Sequence, residues 1–398
     1  MTGFKSARIS EFCVTGSGGT PSRSQVERYY EGGTIPWVKS GELRETVIKR
    51  TSEYVTETAL KESSIKLVPA GAILLAMYGA TVGRLGILGI EATTNQAVCH
   101  IVPDPKVAEI RYIFHAISHQ VPSLIAKGVG GAQPNINQAI IKDVAIPLPP
   151  LPEQCRIAAI LDQADALRAK RREALKQLDS LTQSIFIEMF GDSLRSNIRH
   201  ALSNLIEDFR YGTSNKSGAS GYPALRIPNV TSGSLDLTEL KTVAVDDSEF
   251  QRLKLRDGDL LFVRTNGNPD YVGRCAVFNP LKVLETGFKS SEFIYASYLI
   301  SARLKESTVL SIVLQEYLST AEGRRALRAR CKTSAGQFNI NTEGLGSLPI
   351  PSFPMPLQES FIRKKKTIEQ QQAIHRESLA ELDALFASLQ HRAFRGEL

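Results

Sequence analysis

Hydrophobic positions follow two different patterns along this chain. In the first pattern, short apolar runs are bounded by glycine and other turn residues, as in "AGAILLAMYGATVGRLGIL" (70–88) and "RDGDLLFVRTNGNPDYVGRCAVF" (256–278). Runs of this length between turn residues are typical of strands. The pattern therefore predicts two mainly β regions with a few helices, including one helix at about 107–126 and another at about 314–331.

In the second pattern, apolar residues recur three and four positions apart, which is the spacing of a coiled-coil seam. Each such stretch follows a proline-rich segment, "IPLPPLPEQ" (146–154) or "IPSFPMPLQ" (350–358), which ends the preceding β region. The predicted seam positions are Ile160, Ala164, Leu167, Arg171, Ala174, Leu178, Leu181 and Ile185, then Ile368, Gln371, His375, Ser378, Leu382, Leu385 and Leu389. We expect two long helices that pack antiparallel and hold the β regions apart. The first, at 152–190, would span roughly 58 Å at 1.5 Å per residue.

The second half of the chain repeats the first. "QPNIN" (133–137) recurs as "QFNIN" (337–341), 204 positions later, and "LKQLDSLTQSIFIEMFG" (175–191) falls on "LAELDALFASLQHRAFR" (379–395) at the same offset. Nearer the N-terminus the offset is 187, at which Pro36-Trp37-Val38-Lys39 meets Pro223-Ala224-Leu225-Arg226. A period of this length indicates domain duplication and not a solenoid.

These patterns together predict an α+β fold. Two mainly β domains would be separated by two long antiparallel coiled-coil helices, with a pseudo-twofold internal repeat. The expected boundaries are 1–150 and 193–354 for the β domains, and 151–192 and 355–398 for the helical regions.

Composition and charge indicate a cytoplasmic protein with a polyanionic partner. No apolar run reaches the length of a membrane span, and the first residues lack the apolar core of a signal peptide. The five cysteines are odd in number and have no metal-ligand spacing, so we expect reduced thiols. The formal charge is +7, of which residues 1–151 and 191–358 carry +3 each. Two similar binding faces would require such a distribution.

Catalytic motifs are weak throughout the sequence. Asn268-Pro269-Asp270-Tyr271 is similar to the motif with which amino-methyltransferases grip a flipped base, but Asp replaces a proline and the first copy lacks it. We therefore expect a surface loop insertion. His115 and His119 have zinc-compatible spacing without a third ligand, so we expect an ordinary helix face. No serine or cysteine lies in a recognisable nucleophile motif, and no metal site is predicted.

DNA binding explains more of the side chains that follow the predicted strands. Arginine suits guanine edges and asparagine suits adenine edges, whereas lysine and hydroxyl groups serve phosphates and mixed contacts. The candidate DNA-binding residues of the first half are Trp37, Lys39, Ser40, Tyr78, Thr81 and Arg84. Those of the second half are Arg226, Asn229, Arg264, Thr265, Asn266, Tyr271 and Arg274. Phosphate contacts are expected from the basic run "GRRALRARCK" (323–332).

The motif Gln-x-Asn-Ile-Asn has two interpretations. Its side chains could contact DNA, but we favour a turn that ties the β domain to the following helix through side-chain to backbone hydrogen bonds.

Taken in order, several motifs resemble the specificity subunit of Type I restriction-modification enzymes. They are "GGTPS" (18–22), "IPWVKSGEL" (35–43), "QPNIN", "IPLPPLPEQ" with its long helix, and "LQHRAFRGEL" (389–398). The resemblance covers essentially the whole chain. It departs at "MPLQE" (355–359), where the first copy reads "LPEQC", and at "YGTSN" (211–215), the degenerate counterpart of "GGTPS".

The resemblance implies that each β domain is a target recognition domain for one half of a bipartite, asymmetric DNA site. It implies that the helices act as a spacer and dock two modification (methyltransferase) subunits, which recruit restriction (translocase and nuclease) subunits. S-adenosylmethionine, ATP and Mg would bind those partners, and this chain would hold no cofactor. Two alternatives stay open at this point: a DNA-binding adaptor of a methylation-only or regulatory complex, and methyl transfer by this chain alone.

Overall fold

The computed structural model describes residues 4–44, 46–128, 135–305, 309–334 and 336–398. It contains both helices and sheets, so the predicted mixture of α and β structure is confirmed. The chain divides into two units, one of Met1–Glu173 with Arg376–Leu398 and one of Ala174–His375. Each unit therefore combines one β region with the beginning of one long helix and the end of the other.

The first unit is built on a five-stranded sheet, in which only the last pair of strands is parallel. Its spatial order is Cys13–Ser17, Val98–Pro103, Ile73–Ala76, Leu85–Leu88 and Val47–Ile48. Smaller sheets are Tyr54–Val55, Ile35–Val38 and Thr93–Thr94, and the pair Ser6–Arg8 with Ala145–Pro147. Helices are Ile9–Phe12, Val26–Tyr29, Glu57–Glu62, Ile110–Lys127 and Gln138–Lys142.

The core of the first unit lies between the central strand and the helix Ile110–Lys127. Ile73 and Leu75 on the strand and Tyr112 on the helix are fully buried. The end of the second long helix joins the same core through Phe386 and Ala393. Burial of side chains of this size is the main source of stability in such a unit.

The second unit repeats this plan with a four-stranded antiparallel sheet. Its spatial order is Ile206–Tyr211, Leu299–Leu304, Leu260–Val263 and Cys275–Val277. A second sheet has four strands, in the order Ser217–Gly218, Lys241–Val243, Tyr222–Leu225 and Ile294–Tyr295. A third has three strands, in the order Thr265–Asn266, Gln337–Asn339 and Lys332–Ser334. The strand Arg199–Ala201 pairs with Pro349–Pro351. Helices are Leu202–Leu205, Asp247–Leu253, Pro280–Val283, Ser311–Ser319, Ala321–Arg328 and Thr342–Gly346.

Four phenylalanines fix the ends of the long helices in the second unit. Phe186 and Phe190 of the first long helix, with ring centroids 4.8 Å apart, meet Phe353 and Phe361 at centroid distances of 5.1 to 6.0 Å. Edge-to-face and tilted contacts at these distances add to the free energy gained from burying the rings.

The predicted helix at 314–331 is in fact two helices that meet at Thr320. This residue is extended, with ψ at 161°, and its hydroxyl accepts a hydrogen bond from the backbone N–H of Gly323 at 3.1 Å. A threonine in this position satisfies one of the free N–H groups at a helix start. The prediction of an unbroken helix was therefore wrong.

The two long helices extend from Leu151 to Arg195 and from Met355 to Ala393. They run antiparallel within each unit: Arg156 bonds to the carbonyl of Leu398 in the first, while Phe186 packs on Phe361 in the second.

The predicted seam was wrong at Leu167 and Leu181 of the first long helix, whose side chains are 51% and 43% exposed. It was also wrong at Leu385 of the second, which is 51% exposed, and at Gln371, which is exposed as well. In the first long helix the buried positions are instead Ile157 and Leu161 near one end and Phe186 and Phe190 near the other. Contacts with the β regions, which the periodicity does not report, decide which face of the helix is buried.

Equivalent hydrogen bonds confirm that the two halves repeat each other. The buried amide of Gln154 accepts from the N–H of Glu109 at 2.8 Å and donates to the carbonyl of Pro149 at 2.8 Å. Gln358, 204 positions later, accepts from Leu310 and donates to Phe353, both at 2.8 Å. Among the described residues, no helix combines the length and the apolar character needed to cross a bilayer.

Candidate nucleic-acid interface

Two loops occupy equivalent places in the two units. The first loop, residues 78–84, connects the strands Ile73–Ala76 and Leu85–Leu88, and the second loop, residues 264–274, connects Leu260–Val263 and Cys275–Val277. Each loop closes with a backbone hydrogen bond from the last residue of the first strand to the carbonyl of an arginine. The N–H of Ala76 donates to Arg84 at 2.9 Å, and the N–H of Val263 donates to Arg274 at 2.8 Å. Arg84 and Arg274 therefore hold the same position in the two units.

A glycine shapes the end of each loop. Gly83 has φ of 82° and Gly273 has φ of 73°, a conformation that other residues rarely adopt. A Cβ atom on Gly83 would lie 2.7 Å from a methyl of Val121, and a Cβ atom on Gly273 would lie 2.7 Å from a methyl of Leu327. Only glycine fits both the backbone conformation and the space.

Sequence reasoning placed Trp37, Lys39 and Ser40 in the first DNA-binding surface. The ring of Trp37 is 2% exposed and its Nε1 donates to the carbonyl of Gly19 at 3.1 Å, so this ring positions the segment from beneath. The ammonium of Lys39 pairs with Glu53, and Ser40 begins a short 3-10 turn, half-buried. Of the three, Lys39 and Ser40 reach the surface.

The remaining candidates of the first unit lie in the first loop itself. Tyr78 and Thr81 are half-buried and Arg84 is exposed. Burial raises the pKa of Tyr78, so its hydroxyl stays protonated and able to donate a hydrogen bond.

In the second unit, Arg226 and Asn229 form a small hydrogen-bonded turn. The Oδ1 of Asn229 accepts from the N–H of Arg226 at 2.8 Å, and its Nδ2 donates to the carbonyls of Asp236 and Glu239. Asn229 is 2% exposed and its amide is engaged by these backbone groups, so it shapes the turn. Arg226 pairs with the carboxylate of Glu239 at 3.0 Å, while its Nε is buried without a partner.

Arg264, Thr265 and Asn266 begin the second loop. The guanidinium carbon of Arg264 lies 4.9 Å from the ring centroid of Tyr211. The hydroxyl of Thr265 is buried and donates to Gln337 at 3.0 Å, whereas Asn266 is half-buried and accepts from the N–H of Asn268 at 2.9 Å. Arg264 and Asn266 are thus the more accessible of the three.

The rest of the second loop is the predicted surface insertion. Asn268 accepts from the N–H of Asp270 at 2.9 Å, a side-chain turn that leaves Tyr271 36% exposed. The guanidinium of Arg274 lies against that ring and donates to the carbonyls of Asp270 and Thr231 at 2.8 and 2.9 Å. The insertion therefore holds Arg274 in one place.

The basic run divides into three groups. Arg324 reaches back to the second loop and donates to the carbonyls of Asp270 and Val272 at 3.0 and 2.9 Å. Arg330 bonds to Ser347, while Arg325, Arg328 and Lys332 are exposed. Arg325 and Lys332 therefore reach solvent, whereas Arg328 also lies 3.5 Å from the carboxylate of Asp270.

Gln133 and Pro134 lie outside the described residues, but the rest of both Gln-x-Asn-Ile-Asn motifs supports the loops. The side chain of Asn137 caps the helix Gln138–Lys142, as Asn341 caps Thr342–Gly346. The N–H of Ile136 donates to the carbonyl of Met77 at 2.8 Å, and that of Ile340 to Arg264 at 2.9 Å. The expected side-chain to backbone bonds are present, here as helix caps.

Sequence reasoning named Arg226 but missed the surface side chains grouped with it, Asn215, Lys216 and Tyr298. Tyr298, 58% exposed, lines an open cavity of about 480 Å³ together with Asn215, Lys216 and Arg226. No short sequence motif predicts this group, because its members come together from three separate segments of the chain. "YGTSN" was noticed only as a degenerate copy, although its Asn215 reaches this cavity.

The histidine pair proved less ordinary than predicted. His115 is 1% exposed, and its Nε2 lies 2.6 Å from the carboxylate of Asp162, which Arg111 also binds. His119 packs on Phe394 with a centroid separation of 5.3 Å. Over the described ranges, no three His, Cys, Asp or Glu side chains are grouped as a metal site. All five cysteines are free thiols.

Residues 1–177 match the family model of the Type I restriction modification DNA specificity domain. The chain is 27% identical to the Type I restriction enzyme EcoKI specificity subunit of Escherichia coli K12, with 100% of this chain and 89% of that protein covered. It is 31% identical to the EcoR124I/EcoR124II specificity subunit of Escherichia coli, over 45% of each chain.

Two solved structures share the fold. The S subunit of the Type-I restriction-modification system from M. genitalium superposes with a TM-score of 0.53 at 14% identity, covering 98% of this chain and 96% of the other. A chain from a structure of the type I R-M system superposes with a TM-score of 0.57 at 18% identity, covering 100% of this chain and 99% of the other. The resemblance predicted from the repeated motifs is therefore confirmed.

Proposed function

We propose that this chain, a Type I specificity subunit by that resemblance, reads a bipartite and asymmetric DNA site in the cytoplasm. One observation carries the proposal: equivalent strands end in equivalent loops in the two units, and the side chains on the loops differ. Equivalent position implies a common task, and different side chains imply different target sequences. Each loop would read one half of the site.

The two surfaces offer different chemistry to DNA. In the first unit we assign base or backbone contacts to Lys39, Ser40, Tyr78, Thr81 and Arg84, with Trp37 acting as their support. In the second unit the accessible groups are Arg226, Arg264, Asn266, Tyr271 and Arg274, with Asn229 and Thr265 as their support. The second set has more guanidinium groups, which suit guanine, and an amide, which suits adenine.

The long helices are the proposed docking surface for two modification (methyltransferase) subunits, which would recruit the restriction subunits. Six large apolar side chains on these helices are at least 38% exposed: Leu167, Leu181, Ile187, Leu357, Ile374 and Leu385. Apolar side chains repeated along an exposed helix fit a protein partner. In this scheme S-adenosylmethionine, ATP and Mg bind the partner subunits, and catalysis takes place there.

Replacing residues 1–145 by the same part of a related specificity subunit tests the proposal. The hybrid is expressed with its modification subunit, and methylated positions are mapped across the host genome. We expect one half of the methylated motif to change while the other half stays. A motif that changes in both halves, or no methylation at any fixed motif, contradicts two independent readers.

Incubation of the pure chain with labelled S-adenosylmethionine and DNA tests catalysis by this chain itself. We expect label in DNA only when the modification subunit is present. Transfer by the pure chain would reassign the activity.

A further inference from the structure

A cavity of about 410 Å³ opens in the second unit between the second loop and the helix Ala321–Arg328. Arg274 and Arg324 both line it, together with hydroxyl-bearing Thr231, Ser232 and Ser319 and with Asp270. Two guanidinium groups that share one cavity repel each other unless something negative lies between them. The charge at this cavity therefore needs an explanation.

Both guanidinium groups are held in place by backbone carbonyls and not by carboxylates. Arg274 donates from Nε to Asp270 and from Nη1 to Thr231, at 2.8 and 2.9 Å. Arg324 donates from Nη2 to the carbonyls of Asp270 and Val272, at 3.0 and 2.9 Å. An arginine has five N–H groups, so each side chain keeps three for a ligand. The carbonyls fix the geometry and leave both charges uncompensated.

The negative charge nearby does not balance the arginines. The Asp270 carboxylate lies 3.5 Å from Nη1 of Arg328, an arginine that does not line the cavity, and the side chains of this pair are both 63% exposed. Cys275 also lines the cavity, but burial raises the pKa of its thiol to about 12, which keeps it neutral. Burial lowers the pKa of Arg324, and neighbouring Arg274 lowers it further. An anion in the cavity would relieve both effects.

We propose that this cavity is a phosphate site, in which Arg274 and Arg324 together hold one backbone phosphate of the target DNA. The inference rests on the proposed function and deepens it, because it assigns Arg274 to positioning the duplex and leaves base reading to other side chains of the second loop. Two fixed guanidinium groups match the oxygens of a phosphate better than lysine ammonium groups do.

Over the described residues, the equivalent place in the first unit lacks the second arginine. Arg84 takes the place of Arg274 in the first unit, but the helix that packs on its loop presents Val121 and Ile125 to Gly83. That helix has no arginine between residues 112 and 127. The two units would therefore grip the DNA backbone differently even where their loops are equivalent.

Inorganic phosphate tests the site without DNA. The full chain is titrated with phosphate by calorimetry in chloride buffer of constant ionic strength. We expect Arg324→Gln to weaken phosphate binding at least tenfold, while Arg256→Gln, which removes an exposed arginine of the same unit outside the cavity, behaves as wild type. Ser232→Glu is the second variant: it places a carboxylate in the cavity lining and does not remove either hydrogen bond of Arg324. Equal binding by wild type, Arg324→Gln and Ser232→Glu overturns the site.

Duplexes with single methylphosphonate linkages identify the source of the phosphate. We expect one linkage whose neutralisation weakens binding to wild type and to Arg256→Gln, and has no further effect on Arg324→Gln. If sensitivity to every linkage is unchanged in Arg324→Gln, the assignment to DNA is wrong and the site serves a free phosphate compound. A wild-type chain that binds phosphate through Arg324 but prefers no DNA sequence would refute the proposed function and leave the phosphate site standing.

Discussion

The guanidinium carbon of Arg274 lies 4.6 Å from the ring centroid of Tyr271, three positions earlier in the same loop. This stacking, with the two carbonyl bonds to Asp270 and Thr231, leaves Arg274 little freedom. The guanidinium of Arg264 makes one hydrogen bond among the described residues, from Nη1 to the carbonyl of Ser297 at 3.3 Å, and a contact with the ring of Tyr211. The two arginines of the second loop are therefore suited to different tasks.

Arg264→Ala should relax the target sequence at one position. A bidentate contact between arginine and guanine is worth about 1 to 3 kcal/mol of discrimination, which the alanine cannot supply. Competition binding with duplexes that vary one base pair at a time measures the loss. Arg274→Ala is the matched comparison, for which we expect uniform weakening and a shallower salt dependence. Uniform weakening by Arg264→Ala would reassign that side chain to the backbone.

Gly273→Ala should destabilise the second unit by about 2 kcal/mol. Its φ of 73° costs a residue with a side chain roughly 1 kcal/mol, and the new methyl would overlap Leu327. Chemical denaturation followed by circular dichroism measures the change. Gly267→Ala is the control, because a Cβ there meets no atom within 4 Å. Equal stability of the two variants would show that the loop adjusts freely.

Gln154→Leu should cost on the order of 3 kcal/mol of unfolding free energy. The leucine fills the space of the glutamine but removes the partner of the N–H of Glu109 and of the carbonyls of Val107 and Pro149, the last of them in a buried hydrogen bond. Urea unfolding monitors the loss, with the exposed Gln163→Leu on the same helix as control. A loss no greater than that of the control would mean that water replaces the amide.

Lowering the pH from 7 to 5 should decrease the free energy of unfolding of the first unit, in a range where its carboxylates are still mostly ionised. Burial lowers the pKa of His115, although Asp162 opposes the shift. The unfolded chain therefore binds a proton as pH falls below about 6.5, while the folded chain does not, and the free energy of unfolding decreases. His115→Phe should flatten the decline between pH 7 and 5, measured by urea unfolding at each pH. Burial also lowers the pKa of His100, so part of the decline should persist. An unchanged slope would contradict the assignment to His115.

The fragment of residues 1–195 should form a symmetric dimer. It lacks the segment Arg376–Leu398, whose Phe394 packs on Tyr112 with centroids 5.7 Å apart in the first unit. Phe190 is the repeat equivalent of Phe394, so the helix end of a second copy can fill the same place through a twofold interface. Sedimentation should give a dimer for the fragment and a monomer for its Phe190→Asp variant.

With the modification subunit present, that dimer should methylate an inverted repeat of the first half-site. Thr182 stands where the repeat has Phe386, which makes the substitute contact weaker but leaves its symmetry unchanged. A monomeric fragment, or a dimer that marks an asymmetric site, would contradict the equivalence of the two helices.

The sequence by itself determined the duplication, the mixture of strands and helices, and the position of the two loops. These features depend on local patterns: apolar runs between glycines, a three-four periodicity after the prolines, and motifs such as Gln154 and Gln358 that recur at a fixed offset. Backbone preferences and side-chain periodicity act over a few residues, so one sequence is enough to show them.

Only the tertiary structure decided which candidate side chains are available. Trp37, Asn229 and Thr265 looked like DNA contacts in sequence, but their polar groups bond to atoms that are 18, 7 and 72 residues away along the chain. The pairing of Arg274 with Arg324 and the burial of His115 against Asp162 are likewise long-range contacts. A side chain is buried or exposed according to what packs against it, and packing partners distant in the chain leave no periodic signal for a single sequence to show.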